Sequence, residues 1–242
     1  SNTSALPITD LAEASQAPER VVGMHFFSPV EKMPLLEVIA GAATSDETLG
    51  RALALGKAMK KTCILVNDGY GFFTSRVFSS YILEGAQLVS EGYHPVTIEW
   101  AARTAGMVVG PLQVFDEVTL SLGVHAMAEA RKYRGAEEIE GAKLVFRMVE
   151  AGRKGKAHGA GFYDYEGGKR RGIWSGLREL VGVEAEATVE ALAHRLMLAQ
   201  IAEVGRSLDE GIIRNWRSCL SICGQNPGPG FHEASANCTR LV

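Results

Sequence analysis

Three short segments, VVGMHFF (21–27), LLEVI (35–39) and TCILV (62–66), are apolar at nearly every position. A strand with one wet face alternates apolar and polar residues, whereas a run that is apolar at both parities has to be covered on both sides. The start of the chain is thereby constrained to a mostly parallel sheet with helices packed on it. Between the second and third runs, Thr44-Ser45-Asp46-Glu47 reads as a capping box, with Leu49, Ala52, Leu53, Gly56 and Met59 at helical spacing behind it. Strand, helix and strand in that order make a piece of an α/β layer.

After the turn Asn67-Asp68-Gly69-Tyr70-Gly71 the pattern becomes helical. A long amphipathic stretch runs from about Phe72 to Glu91 and stops at Gly92, and further helical patterns cover 96–105, 117–133 and 139–151. The glycine-rich HGAGFYDYEGGKRRG (158–172) reads as a boundary. Beyond it the pattern repeats. SRVFSSYILEGAQLVSEG (75–92) laid over HRLMLAQIAEVGRSLDEG (194–211), at a constant offset of 119 (195 less 76), superposes Arg76 on Arg195, Glu84 on Glu203 and Glu91 on Glu210. The second helical region therefore reads as a diverged copy of the first. The expected organisation is an α/β remnant over 1–68, a helical domain over 69–168, a partial second helical copy over 169–216 and an irregular tail over 217–242.

With 242 residues, of which 46% are hydrophobic and 22% charged, the chain can bury a core of ordinary size. A net charge of −3 supplies no basic field for a phosphate backbone, so no nucleic-acid partner is expected. No apolar run approaches the roughly 18 to 20 residues of a membrane span, and no charged-then-apolar leader precedes Ser1, so a cytoplasmic location is expected. The four cysteines are not spaced like a disulfide framework. Cys219, Cys223, His232 and Cys238 could be read as zinc ligands, but their spacing fits no zinc pattern, and no metal is expected.

His25 and Glu37 fall in neighbouring strand-like runs. Pairing those strands could set the carboxylate against the imidazole, orienting the ring and stabilising its protonated form for proton exchange with a substrate hydroxyl. From spacing alone the same two residues read more readily as a hydrogen-bonded core histidine and a solvated strand end.

The order and spacing of SNTSALPI, VGMHFFSPVEKMPLLEVI, VNDGYGFFTSR, a helix ending in Glu-Gly, and GPLQVFDEV closely resemble the 3-hydroxyacyl-CoA dehydrogenase family of fatty acid β-oxidation, over residues 1 to about 166. The resemblance implies that His25 is the general acid/base at the substrate 3-hydroxyl and that Glu37 is its partner. It further implies that Ser4, the second serine of SNTS, contacts the reacting end of the substrate and the cofactor NAD. Ser75 stands where the family pattern GFxxNR carries asparagine, and a hydroxyl offers a shorter reach than an amide. Lys156, ahead of GAGFYDY, takes the place of a basic residue near the cofactor. Two further departures are Ser28 in HFFSP, where the pattern has asparagine, and Tyr70-Gly71-Phe72 in place of Pro-Gly-Phe.

By the same likeness, SNTS closes a strand of a Rossmann-like dinucleotide domain, of which this chain holds only the last strands, followed by two mainly α-helical domains. No Gly-x-Gly-x-x-Gly turn follows a strand and opens a helix; GAGF at 159–162 is not in that context. The implied function is NAD-dependent oxidation of (S)-3-hydroxyacyl-CoA to 3-oxoacyl-CoA, incomplete in this chain unless a dinucleotide half is supplied. A close relative acting on 3-hydroxybutyryl-CoA would differ only in acyl length. The alternative is a non-catalytic acyl-CoA-binding and oligomerisation module. An exposed sheet edge where further strands belong would favour a homo-oligomer or association with the missing half.

Overall fold

The structure, a computed structural model, describes residues 1–135 and 138–213; the cysteine-rich tail considered for zinc lies outside the described residues. Among the described residues no cluster of histidine, cysteine or carboxylate side chains is placed to hold a metal ion. No helix among them is long and apolar enough to cross a membrane. The chain forms two compact units, Ser1–Val77 with the described residues from Ala202 onward, and Phe78–Ile201.

In the first unit a short helix α1 (Ile8–Ala12) precedes three strands, β1 (Gly23–Phe26), β2 (Leu35–Ala40) and β3 (Thr62–Asn67), ordered β1-β2-β3. All three apolar runs are strands, but the sheet is mixed rather than mostly parallel: β1 is antiparallel to β2 and β2 is parallel to β3. The connections decide this. Residues 27–34 are too few for a crossover, whereas β2 and β3 are joined through the helix α2 (Asp46–Ala58). Both faces of β2 are covered. Leu36 and Val38 pack with Leu49 and Ala52 of α2, and Ile39 packs on the other face with Ile64, Val66, Phe72 and Phe73. The cap of α2 is Ser45, whose hydroxyl accepts from the Thr48 amide at 3.2 Å; Thr44 instead donates to the Val21 carbonyl at 2.6 Å and ties the helix start to β1. Helices α3 (Thr74–Ser90) and α9 (Val189–Asp209) contribute their Thr74 and Asp209 ends to this unit.

The second unit is built from the remainder of α3 and α9 with α4 (Pro95–Thr104), α5 (Pro111–Val118), α6 (Leu120–Arg134), α7 (Glu140–Glu150), a hairpin of β4 (Tyr163–Glu166) and β5 (Lys169–Ile173), and α8 (Gly176–Val181). The single helix expected over 117–133 is broken at Thr119, which has φ 72°; the Leu120 amide leaves the helical ladder for the Lys154 carbonyl at 3.0 Å, and the Thr119 side chain caps α6. The glycine-rich stretch read as a boundary is the hairpin itself. Gly167 and Gly168 both have positive φ, as a two-residue hairpin loop requires. Buried Asp116 anchors this hairpin, accepting from the Phe162 and Tyr163 amides at 2.8 and 2.9 Å and from the Tyr165 hydroxyl at 3.0 Å. Burial pushes its carboxyl up to about 6 despite those donors.

Candidate active site

The antiparallel register of β1 and β2 sets His25 directly opposite Glu37. Directly opposed residues of an antiparallel pair project to the same face, and a slip of one residue would send one of them to the other side of the sheet. Both side chains are buried, His25 at 5% exposure and Glu37 at 0%. His25 Nδ1 lies 2.9 Å from Glu37 Oε2. Two aromatic rings flank the imidazole, Phe27 at 4.7 Å and Phe72 at 6.2 Å between centroids.

Three further donors reach Glu37 from the start of α3. The Phe73 and Thr74 amides donate to Oε1 at 2.9 and 3.1 Å, and the Thr74 hydroxyl donates to Oε2 at 2.5 Å. The first amides of a helix have no partner within it and carry the positive end of its dipole, so a carboxylate is stabilised there. The turn before α3 aims them. Gly71 and Phe72 both have positive φ, at 76° and 48°. For a bulky side chain such as Phe72 that conformation is strained and has to be held by its surroundings. The buried Phe72 ring and the Gly71 amide bond to the Ala5 carbonyl at 2.9 Å hold it here.

The SNTS segment lies against the same strand. Met24 N donates to the Ser1 carbonyl at 2.7 Å and Phe26 N to Asn2 Oδ1 at 2.9 Å. Ser75 donates from its hydroxyl to the Ser4 carbonyl at 2.8 Å, so these two expected site residues are in contact, and Ser4 is exposed. Lys156 belongs to the second unit, partly exposed, and pairs with Glu117 at 3.7 Å. Thr74 was not among the residues singled out from the sequence. Its only signal is a hydroxyl residue at the start of a helical pattern, a position where such side chains bond locally.

The sequence pattern of the 3-hydroxyacyl-CoA dehydrogenase NAD binding domain matches residues 1–69, and that of the 3-hydroxyacyl-CoA dehydrogenase C-terminal domain matches residues 71–165. The chain belongs to the 3-hydroxyacyl-CoA dehydrogenase family. It is 38% identical over 218 residues to the fatty acid oxidation complex subunit alpha of Vibrio cholerae, an alignment covering 89% of this chain and 31% of that protein. The equivalent subunit of Shewanella halifaxensis is 40% identical over 219 residues, covering 88% and 30%. The chain thus spans about a third of the length of the curated relatives it matches. Among solved structures it resembles (S)-3-hydroxybutyryl-CoA dehydrogenase from Ralstonia eutropha, with TM-score 0.65 and 33% identity over 68% of this chain and 59% of that one. It also resembles the dehydrogenase part of multifunctional enzyme 1 from C. elegans, with TM-score 0.63 and 25% identity over 88% and 50%.

The family's dinucleotide needs a cradle for its pyrophosphate, and the described residues of the first unit do not form one. A recess of about 490 Å³ lies beyond the carboxyl ends of β2 and β3 and includes Thr9, Gly41, Thr44, Asn67 and two charged side chains, Asp46 and Asp68, both acidic. Asp68 is already committed to the Ile8 and Thr9 amides at 2.8 and 2.7 Å. A pair of carboxylates repels a pyrophosphate, which is held elsewhere by glycine-turn amides at a helix N-terminus. What the unit does present is a buried His25–Glu37 pair whose carboxylate is fully hydrogen-bonded.

Proposed function

We propose that the chain carries the proton-transfer part of a 3-hydroxyacyl-CoA dehydrogenase, an oxidoreductase of fatty acid β-oxidation that converts (S)-3-hydroxyacyl-CoA to 3-oxoacyl-CoA. The observation that carries this reading is the His25–Glu37 pair, buried and opposed in register on β1 and β2. With Nδ1 turned to Glu37, the other ring nitrogen, Nε2, is the one left for the substrate. It takes the proton of the 3-hydroxyl during oxidation and returns it to the 3-oxo oxygen during reduction. Glu37 fixes the ring and stabilises the imidazolium that forms. Ser4 and Ser75 are the polar residues assigned to the reacting end of the substrate, and Ser4 and Lys156 those assigned to the cofactor. The matched family pattern names NAD, which when bound accepts the hydride from C3. The α/β unit is read as the last part of a Rossmann-like domain and α9 as belonging to a second helical copy, in a cytoplasmic protein that associates with another copy or with a dinucleotide-binding half.

The test is NADH oxidation driven by acetoacetyl-CoA. Turnover should fall by about 10²- to 10⁴-fold in His25→Ala, the range a positioned acid/base contributes. Turnover that survives His25→Ala would overturn the assignment. The acidic recess beyond β2 and β3, which does not suit a pyrophosphate, favours a second reading, a non-catalytic acyl-CoA-binding module. That reading expects CoA-ester binding with no NADH oxidation in either protein.

A further inference from the structure

We infer that Thr74 is a positioning residue of the proposed reaction, one that locks the tautomer of His25 through Glu37. The inference rests on the dehydrogenase reading for its functional meaning, while the geometry that carries it is independent of turnover. A carboxylate offers about four acceptor sites, two on each oxygen. At Glu37 all four are taken. Oε1 receives the Phe73 and Thr74 amides, and Oε2 receives the Thr74 hydroxyl at 2.5 Å and faces His25 Nδ1 at 2.9 Å.

The four partners are not alike. A backbone N–H can only donate, whereas a hydroxyl and an imidazole nitrogen can each donate or accept. If Nδ1 were the unprotonated nitrogen, Glu37 Oε2 would have to carry a proton to bond it. The Thr74 hydroxyl, donating to that same oxygen, stabilises the ionised carboxylate and so opposes such a proton. The two amides on Oε1 act in the same sense. His25 then keeps its hydrogen on Nδ1, which leaves the Nε2 lone pair as the base. Without the Thr74 hydroxyl the negative oxygen Oε2 has one donor fewer, and the alternative arrangement, a Glu37 that has taken a proton from solvent and donates it to Nδ1, becomes more accessible. That arrangement puts the hydrogen on Nε2 and removes the base.

Thr74→Val keeps the branched shape and the backbone amide and deletes only the hydroxyl. Nitrogen-15 NMR of imidazole-labelled protein should report a single Nδ1–H tautomer for neutral His25 in the unmodified chain and in Thr74→Ser, and a mixture of tautomers in Thr74→Val. In the acetoacetyl-CoA assay, kcat of Thr74→Val should drop about tenfold with KM unchanged, and Thr74→Ser should restore it, tenfold being about 1.4 kcal/mol. A His25 tautomer unaltered in Thr74→Val overturns the inference whatever the rate does; should that variant fail to fold, the same reading is taken on Thr74→Ala. A chain with no turnover and an intact hydroxyl-dependent tautomer would sink the dehydrogenase reading and leave the lock standing.

Discussion

The two units use the same ion-pair chemistry in different surroundings. In the first, Arg76 donates to Glu203 at 2.6 Å and to Glu210 at 2.6 and 3.0 Å. In the second, Arg195 donates to Glu84 at 2.9 Å and to both oxygens of Glu91. These residues coincide under the offset that superposes the two helical segments, and the partners are exchanged: each segment's arginine takes the other segment's two glutamates. Burial separates the two sites. The Arg76 side chain is 2% exposed and that of Arg195 is 38% exposed. An arginine closed off from water cannot be replaced by solvent when it is removed, and its partner is left as an uncompensated buried charge. The comparison therefore teaches that the same contact can be structurally indispensable at one site and marginal at the other.

The largest effect expected is at Arg76. Burial alone would lower its pKa, but the hydrogen bonds it donates to Glu210 and Glu203 outweigh this and hold the guanidinium above its ordinary value. Arg76→Leu takes from Glu203, itself 4% exposed, its contact at 2.6 Å and leaves in place the Arg206 contact at 2.7 Å. A loss of about 3 kcal/mol is expected, the lower end for a broken buried pair because Arg206 remains. Urea unfolding checks it, and a loss under about 1 kcal/mol would remove burial as the deciding difference.

A second, smaller effect sharpens the comparison by placing a buried acid without a full charge partner in the second unit. The Asp116 carboxyl is raised from 3.8 to about 6 by burial. A carboxyl raised in the folded state takes up a proton there before the unfolded chain does. Stability should then increase as pH falls from about 6 to about 4, with the full penalty of the charge present above that window. A shift of about two units corresponds to about 3 kcal/mol at most, less whatever hydrogen bonding is lost on protonation. Asp116→Asn should erase this pH dependence. It should also cost about 1 to 2 kcal/mol near neutrality, because an amide offers one acceptor oxygen to two amides. Thermal unfolding of both proteins from pH 4 to 7 distinguishes the two contributions.

Much of this was written in the sequence, but unevenly. The strands were legible because apolar runs are local features, whereas the dyad was legible only through the family resemblance, since spacing alone favoured a core histidine and a solvated strand end. The antiparallel sense of β1 was not, because direction depends on the length of the connection rather than on the composition of the strand. The offset alignment placed Arg76 on Arg195 and the glutamates on one another, yet similarity cannot show that the partners are exchanged. The break at Thr119 escaped because a β-branched residue at positive φ has no sequence signature; it follows from a tertiary bond of Leu120 to Lys154. Thr74 escaped for a related reason. A threonine after two phenylalanines says nothing until the turn at Gly71 and Phe72 aims it at Glu37.

The smallest effect expected, and the one that bears most directly on the comparison, is at Arg195. Water already reaches its guanidinium and both glutamates, so Arg195→Leu should cost about 1 kcal/mol at neutral pH. The two carboxyls respond in opposite directions. Burial raises Glu84, whereas the hydrogen bond from Arg195 lowers Glu91 below its ordinary 4.5. A lowered carboxyl contributes stability above its unfolded pKa that disappears as pH falls through the folded value. A raised one gains stability over the same descent. Deleting Arg195 removes the Glu91 contribution and lets Glu84 take a proton more readily in the folded state. The deficit of Arg195→Leu should accordingly be greatest near neutrality and close below about pH 4.5, where wild type has lost the Glu91 contribution as well. Melting curves of Arg195→Leu and Arg76→Leu between pH 3.5 and 7 compare the sites directly. Parallel deficits at every pH would mean that the exchanged pairs are energetically equivalent despite their different exposure.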